Sequence, residues 1–170
     1  NTTSLEMMFS KPIRPNFFNE VFPILYSDLW GDYWGYFTFT RNALVSGRNQ
    51  QIIGDYLARI NIVSILVTIF FIFVICKSLK YLNIKNGSNL FITYVSLSIF
   101  ISFAGYLWFL IKYPALDSGD TIKATYMIQA FHLIGVLSIL YLEKLKQKNL
   151  KRYALLLGIF LATFIHNYSA

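Results

Sequence analysis

From Leu90 to Ile111 the chain reads LFITYVSLSIFISFAGYLWFLI, a run without one charged side chain. A helix of about 20 apolar residues crosses the hydrocarbon core of a bilayer, so this run is long enough to span one. Three further apolar blocks follow the same pattern: Ile60 to Cys76, about Thr125 to Leu142, and about Tyr153 to Tyr168, the last being short for a span. Short charged strips separate the blocks. Lipid forces backbone polar groups to pair within each segment, which favours helices here. A β-barrel would instead show alternating segments of about ten residues, and the sequence has none. The expected fold class is an all-α, polytopic helical membrane protein with about four transmembrane helices (60–76, 90–111, 125–142 and 153–168) in a region covering 60–170. Residues 1–59 are expected to form an external, aromatic-rich loop region with short helices. A hydrophobic content of 56% and a mean hydropathy of +0.51 fit this class better than a soluble domain. One cysteine, Cys76, excludes an internal disulfide framework.

The basic balance is concentrated in two strips. Lys77, Lys80 and Lys85 lie between the first and second blocks, and Lys144, Lys146, Lys148, Lys151 and Arg152 lie with Glu143 between the third and fourth. Together they account for the whole formal charge of +7, because bases and acids cancel elsewhere. The positive-inside rule then places 77–89 and 143–152 in the cytoplasm of a multi-pass plasma-membrane protein, with 1–59 and 112–124 external. The lysines report topology and contact with anionic membrane lipids, and no nucleic-acid motif accompanies them. The chain opens Asn1-Thr2-Thr3 without Met, which reads as a fragment with an upstream part missing.

The external segments carry the candidate chemistry. Tyr26 to Phe37 reads YSDLWGDYWGYF. Asp28 and Asp32 are four apart and would share a face if this stretch were one helix. They would then present two carboxylates to a substrate hydroxyl. The alternative is an N-cap at Asp28 and a turn at Gly31-Asp32. Two carboxylates alone are a weak metal signal; no cofactor is implied, and a divalent metal stays open. Trp30, Tyr33, Trp34 and Tyr36 suit either an aromatic belt at the membrane surface or a platform for a sugar or lipid chain. Ile52, Ile53, Tyr56, Leu57 and Ile60 recur at helical spacing opposite Asp55 and Arg59, as in an amphipathic helix.

In the second external loop, KYPALDSGDTIKATY, Asp120 or Thr121 can cap the third span, which puts Lys123 in its first turn. Free backbone N–H groups beside a point charge suit a phosphate; a snorkelling lysine is the competing reading. Tyr126, one turn on, would orient the same ligand. Thr125, Gln129 and His132 continue the line into the span and should point into protein or a cavity. Ser98, Ser102, Gly105, Gly135 and Ser138 suit close helix contact. His166-Asn167 ends the fourth span and would face the same external cavity. No nucleophile–base constellation, phosphate loop or zinc motif is present.

Three patches, YSDLWGDYWGYF, DSGDTIKATYMIQ and the terminal FIHNY, together resemble the C-terminal part of GT-C-type membrane glycosyltransferases. That superfamily includes the aminoarabinose transferases of lipid A and the protein O-mannosyltransferases. The patches cover about thirty residues, and none is a unique signature. The resemblance implies that a sugar leaves a polyprenyl-phosphate carrier for an acceptor hydroxyl of a lipid or glycan on the external face. It implies a catalytic carboxylate upstream of Asn1. It implies Lys123 and Tyr126 as carrier-phosphate contacts and Asp28 with its aromatic neighbours, Trp34 among them, as part of the loop roofing the cavity; Asp32 and His166 join them as substrate- or carrier-binding candidates from their own positions. Lysine where the family often has arginine supplies a point charge rather than a fork. The competing class is a non-enzymatic polytopic protein, a transporter subunit or an assembly factor; His132 is the one ionisable side chain near mid-span, which gives ion transport little to work with.

Overall fold

The computed structural model describes residues 4–10, 12, 21–34, 50–81, 90–113 and 121–169. Every regular element among them is helical. In chain order these are α1 (Ser4–Ser10), α2 (Val21–Trp30), α3 (Gln50–Val63), α4 (Ile65–Ser78), α5 (Leu90–Lys112), α6 (Ile128–Lys148) and α7 (Leu150–Ser169). Short 3-10 turns follow α4 at Leu79–Tyr81 and precede α6 at Ala124–Met127.

Two stretches, Leu90–Lys112 and Ala124–Lys148, are long and apolar enough to cross a membrane. Ile52–Val63 and Ile65–Ser78 make a third if they form one broken span. The break falls at Ser64, inside the block that the sequence presents as continuous from Ile60. The expected fourth span coincides with α7, a helix outside that set. The lysine strip 143–152 is not a loop: α6 runs through Lys148 and α7 restarts at Leu150. Asn149 makes this junction. Its N–H donates to Leu145 O at 2.7 Å, ending α6, and its Oδ1 accepts from Arg152 N–H at 3.0 Å, capping α7.

The chain gathers into two compact units. The first comprises Asn1–Ser64, Trp108–Tyr126 and His166–Ala170; the second comprises Ile65–Leu107 and Met127–Ile165. In the first, α1 and α2 pack on α3. Gly54, Leu57, Ala58 and Asn61 form the buried stripe of α3 at helical spacing, with Ile60 buried and Asp55 and Arg59 exposed; of the apolar face expected from the sequence Leu57 and Ile60 are buried, whereas Ile52 is exposed. Met8, Ile24, Tyr26 and Ile122 make the local core.

In the second unit, Phe70 and Val74 of α4, Val95 and Ile99 of α5, and Ile134 and Leu137 of α6 form the core, with Leu156 and Phe160 of α7 against it. Phe70 lies edge-on to Tyr141 and Phe160, at ring-centroid distances of 5.8 and 5.2 Å. The outward face is also apolar: Leu66, Ile69, Ile101, Ile139 and Leu161 are exposed. Water would penalise so large an apolar surface, whereas lipid would not.

Two expectations for these helices change. Gly105 and Gly135 have no neighbouring heavy atom within 4 Å of where a Cβ would sit, so neither marks a close helix contact within this chain. Gln129 and His132 are exposed rather than turned into the packed core. His132 satisfies one ring nitrogen locally, Nδ1 donating to Ile128 O at 2.7 Å. The serine hydroxyls behave alike: Ser96, Ser102 and Ser138 each donate to the carbonyl four residues back, which pairs them inside an apolar layer.

Candidate functional site

The six candidate site residues all belong to the first unit. α2 places the first of them. Pro23, Ile24, Tyr26, Ser27 and Asp28 are its buried residues. The helix ends at Trp30, and both Gly31 N–H and Asp32 N–H donate to Ser27 O, at 2.9 and 3.1 Å. The turn expected at Gly31-Asp32 is therefore present. The N-cap expected at Asp28 is not, because Asp28 lies in the last turn of α2. Asp28 and Asp32 are also not on one helix face, since the helix stops between them. Gly31 is needed for packing: a Cβ there would lie 2.7 Å from Leu57 Cδ2 and 3.4 Å from Ile60 Cγ2.

Asn61 on α3 holds this corner together. Its Nδ2 donates to Met8 O and to Ser27 Oγ, both at 2.8 Å, and its backbone carbonyl accepts from the Tyr26 hydroxyl at 2.7 Å. One residue thus ties α1, α2 and α3 through bonds shielded from solvent. Among the described residues its Oδ1 is buried without a hydrogen-bond partner. Phe9 meets Tyr26 edge-on and Phe22 stacks on it, at 6.4 and 6.2 Å between centroids.

Asp28 is fully buried and Asp32 is 5% exposed. Burying a carboxylate is costly unless donors surround it. One donor is the Ala124 N–H, 3.3 Å from Asp28 Oδ2. Ala124 opens the 3-10 turn that leads into α6, so the carboxylate accepts from the start of that segment. Ile122, buried in the core beside Ile24 and Tyr26, pins the same segment from its apolar side. Of the backbone N–H groups at the start of this segment, that of Ala124 is engaged by a carboxylate.

Lys123, half-buried, is the residue before Ala124, and its carbonyl accepts from Tyr126 N–H at 3.3 Å. Tyr126 is half-exposed, with its ring 5.6 Å from that of Phe109. Trp34 is largely exposed and lies edge-on to Tyr33 at 5.6 Å; Tyr36, further along the aromatic patch, lies outside the described residues. His166 Nδ1 donates to Asn167 Oδ1 at 3.1 Å, and Asn167 Nδ2 donates to Ser64 Oγ at 3.1 Å.

A hydrogen bond therefore joins Asp28 to the Lys123–Tyr126 segment; the Trp34 ring meets Tyr33, and His166 bonds to Asn167. Among the described residues no three His, Cys, Asp or Glu side chains gather as metal ligands. Sequence reasoning missed Asn61, Ser27 and Ser64. The available signal was a buried-type amide and a hydroxyl inside the apolar run INIVSILV, where each needs a partner in protein. The arrangement offers carboxylates in a dry corner, a lysine on the adjoining segment, and exposed aromatic rings. Compared with known proteins, the chain matches no family model, no curated protein and no solved structure.

Proposed function

We propose that the chain is the C-terminal portion of a GT-C-type membrane glycosyltransferase, acting on a polyprenyl-phosphate-linked sugar and an acceptor hydroxyl. In this reading four helices span the membrane, 1–59 and 112–124 are external, and 77–89 and 143–152 are cytoplasmic. The supporting observation is the hydrogen bond from Ala124 N–H to Asp28 Oδ2, which joins two of the three patches that carry the resemblance. The third patch supplies His166 and Asn167 to the same compact unit. In this reading the carrier phosphate meets the Lys123 ammonium and the Tyr126 hydroxyl. Asp28 then acts by fixing the segment that carries them, and Trp34 offers a ring face to a sugar or an isoprenoid chain.

A specific observation favours a second reading. Asp28 is fully buried and bonded to backbone, as a structural carboxylate would be, which suits a non-enzymatic polytopic protein.

The purified chain in lipid nanodiscs, titrated with a polyprenyl phosphate and followed by native mass spectrometry, separates the two. The glycosyltransferase reading expects a bound carrier, lost in Lys123→Ala while the melting temperature is kept. Equal binding by Lys123→Ala, or no binding by the wild type, removes the phosphate assignment and leaves the non-enzymatic reading.

A further inference from the structure

A cleft of about 230 Å³ opens in the second unit, where α4 and α6 end and α5 begins. Lys77 from α4 and Lys144 and Lys148 from α6 line it, and Val74, Ile92 and Leu140 give it an apolar surface. Among the described residues no acidic side chain lines it.

Lysines near helix C-termini have an ordinary explanation. They complement the helix dipole and reach toward water from an apolar layer. That accounts for their presence at these ends but not for three of them lining one cleft. Lys144 and Lys148 are four apart on one face of α6, a spacing at which like charges repel, and Lys77 adds a third cation to the same cleft. Lys146, between them in sequence, goes elsewhere: its Nζ lies 5.8 Å from the Tyr153 ring centroid. Lys77 is steadied by the Phe73 ring, 5.4 Å from its Nζ.

Three lysines and an apolar wall lining one cleft suit a group that is anionic at one end and apolar at the other. We propose that this cleft binds one anionic phospholipid. Its phosphate sits among Lys77, Lys144 and Lys148, and the first part of an acyl chain lies on Val74, Ile92 and Leu140. Basic pockets between membrane helices recognise anionic headgroups in this way. A free phosphate would use the cations alone and leave the apolar surface bare. The site uses no residue of the first unit, so it stands or falls independently of the carrier reading.

The test is native mass spectrometry of the purified full chain with dioctanoyl phosphatidylglycerol, dioctanoyl phosphatidylcholine and inorganic phosphate. Two triple variants of equal charge are compared: Lys77→Gln, Lys144→Gln and Lys148→Gln together, against Lys80→Gln, Lys146→Gln and Lys151→Gln together. The expected result is one phosphatidylglycerol bound in preference to phosphatidylcholine. A loss of about fivefold per lining lysine, on the order of a hundredfold in all, is expected in the first variant and little in the second. Leu140→Trp fills the cleft without changing charge and is expected to lose the lipid as well, which covers the case of a lining variant that fails to fold. Equal losses in both triples would mean diffuse surface attraction and overturn the site. So would phosphate binding as tightly as the lipid, lipid binding unaffected by Leu140→Trp, or no preference for the anionic lipid.

Discussion

Asp28 Oδ2 accepts a hydrogen bond from the backbone N–H of Ala124, 96 residues later in the chain, at 3.3 Å. The acceptor is buried on α2, and the donor starts the turn that leads into α6. Removing the side chain in Asp28→Ala leaves a buried N–H without this acceptor and is expected to cost about 1–3 kcal/mol. Asp28→Asn keeps an oxygen in place and should cost less. Thermal melts of both variants in one detergent check the order, and an asparagine variant as damaged as the alanine would show that the charge matters as well as the bond.

Asn61 carries more of the first unit than its size suggests. Asn61→Leu has comparable volume but strips Met8 O and Ser27 Oγ of their shared donor, at an expected cost of about 1–3 kcal/mol. Asn61→Asp should be worse, because it adds a buried charge and still cannot donate. The melting order wild type, Asn61→Leu, Asn61→Asp checks this; an unchanged aspartate variant would contradict the burial of this corner.

Gly31 leaves no room for a side chain against Leu57, which is itself fully buried. Gly31→Ala pushes on the flexible end of Leu57 and is expected to cost about 1–3 kcal/mol as overpacking. The double variant Gly31→Ala with Leu57→Val should recover part of that loss. Absence of any recovery would mean that the cost comes from the turn and not from the contact.

Asn149 ends one helix with its backbone and starts the next with its side chain. Asn149→Ala removes the bond to Arg152 N–H and is expected to cost about 1 kcal/mol, with Asn149→Ser or Asn149→Asp retaining most of it. Hydrogen exchange at the first turn of α7 reports this directly. Faster exchange there in the alanine variant, with α6 unchanged, is the expected pattern.

The helical class was legible because an uninterrupted apolar run leaves the backbone one economical way to pair in lipid. Leu90 to Ile111 matches α5, Leu90–Lys112, almost to the residue. The third block was placed correctly but ended early. α6 continues to Lys148 because lysine is a good helix former, and the edge of an apolar layer is not the end of a helix. The break at Ser64 was not legible. Serine sits in helices and in turns alike, and its partner Asn167 is at the far end of the sequence.

The sequence by itself determined that the chain is helical, that Leu90 to Ile111 and the block from about Thr125 are apolar enough to cross a membrane, and where the lysines cluster. These are local quantities, set by composition and period within a few turns. The tertiary structure decided what Asp28, Asn61 and Lys144 face. Asp28 looked like the cap of its own helix and instead reaches the start of another segment. Asn61 looked like part of a span, and its polar groups tie α1 and α2 to α3. Lys144 and Lys148 looked like a charged loop and instead share a cleft with Lys77. Each of these depends on a partner distant in sequence, and no local pattern specifies which distant group a buried polar atom will find.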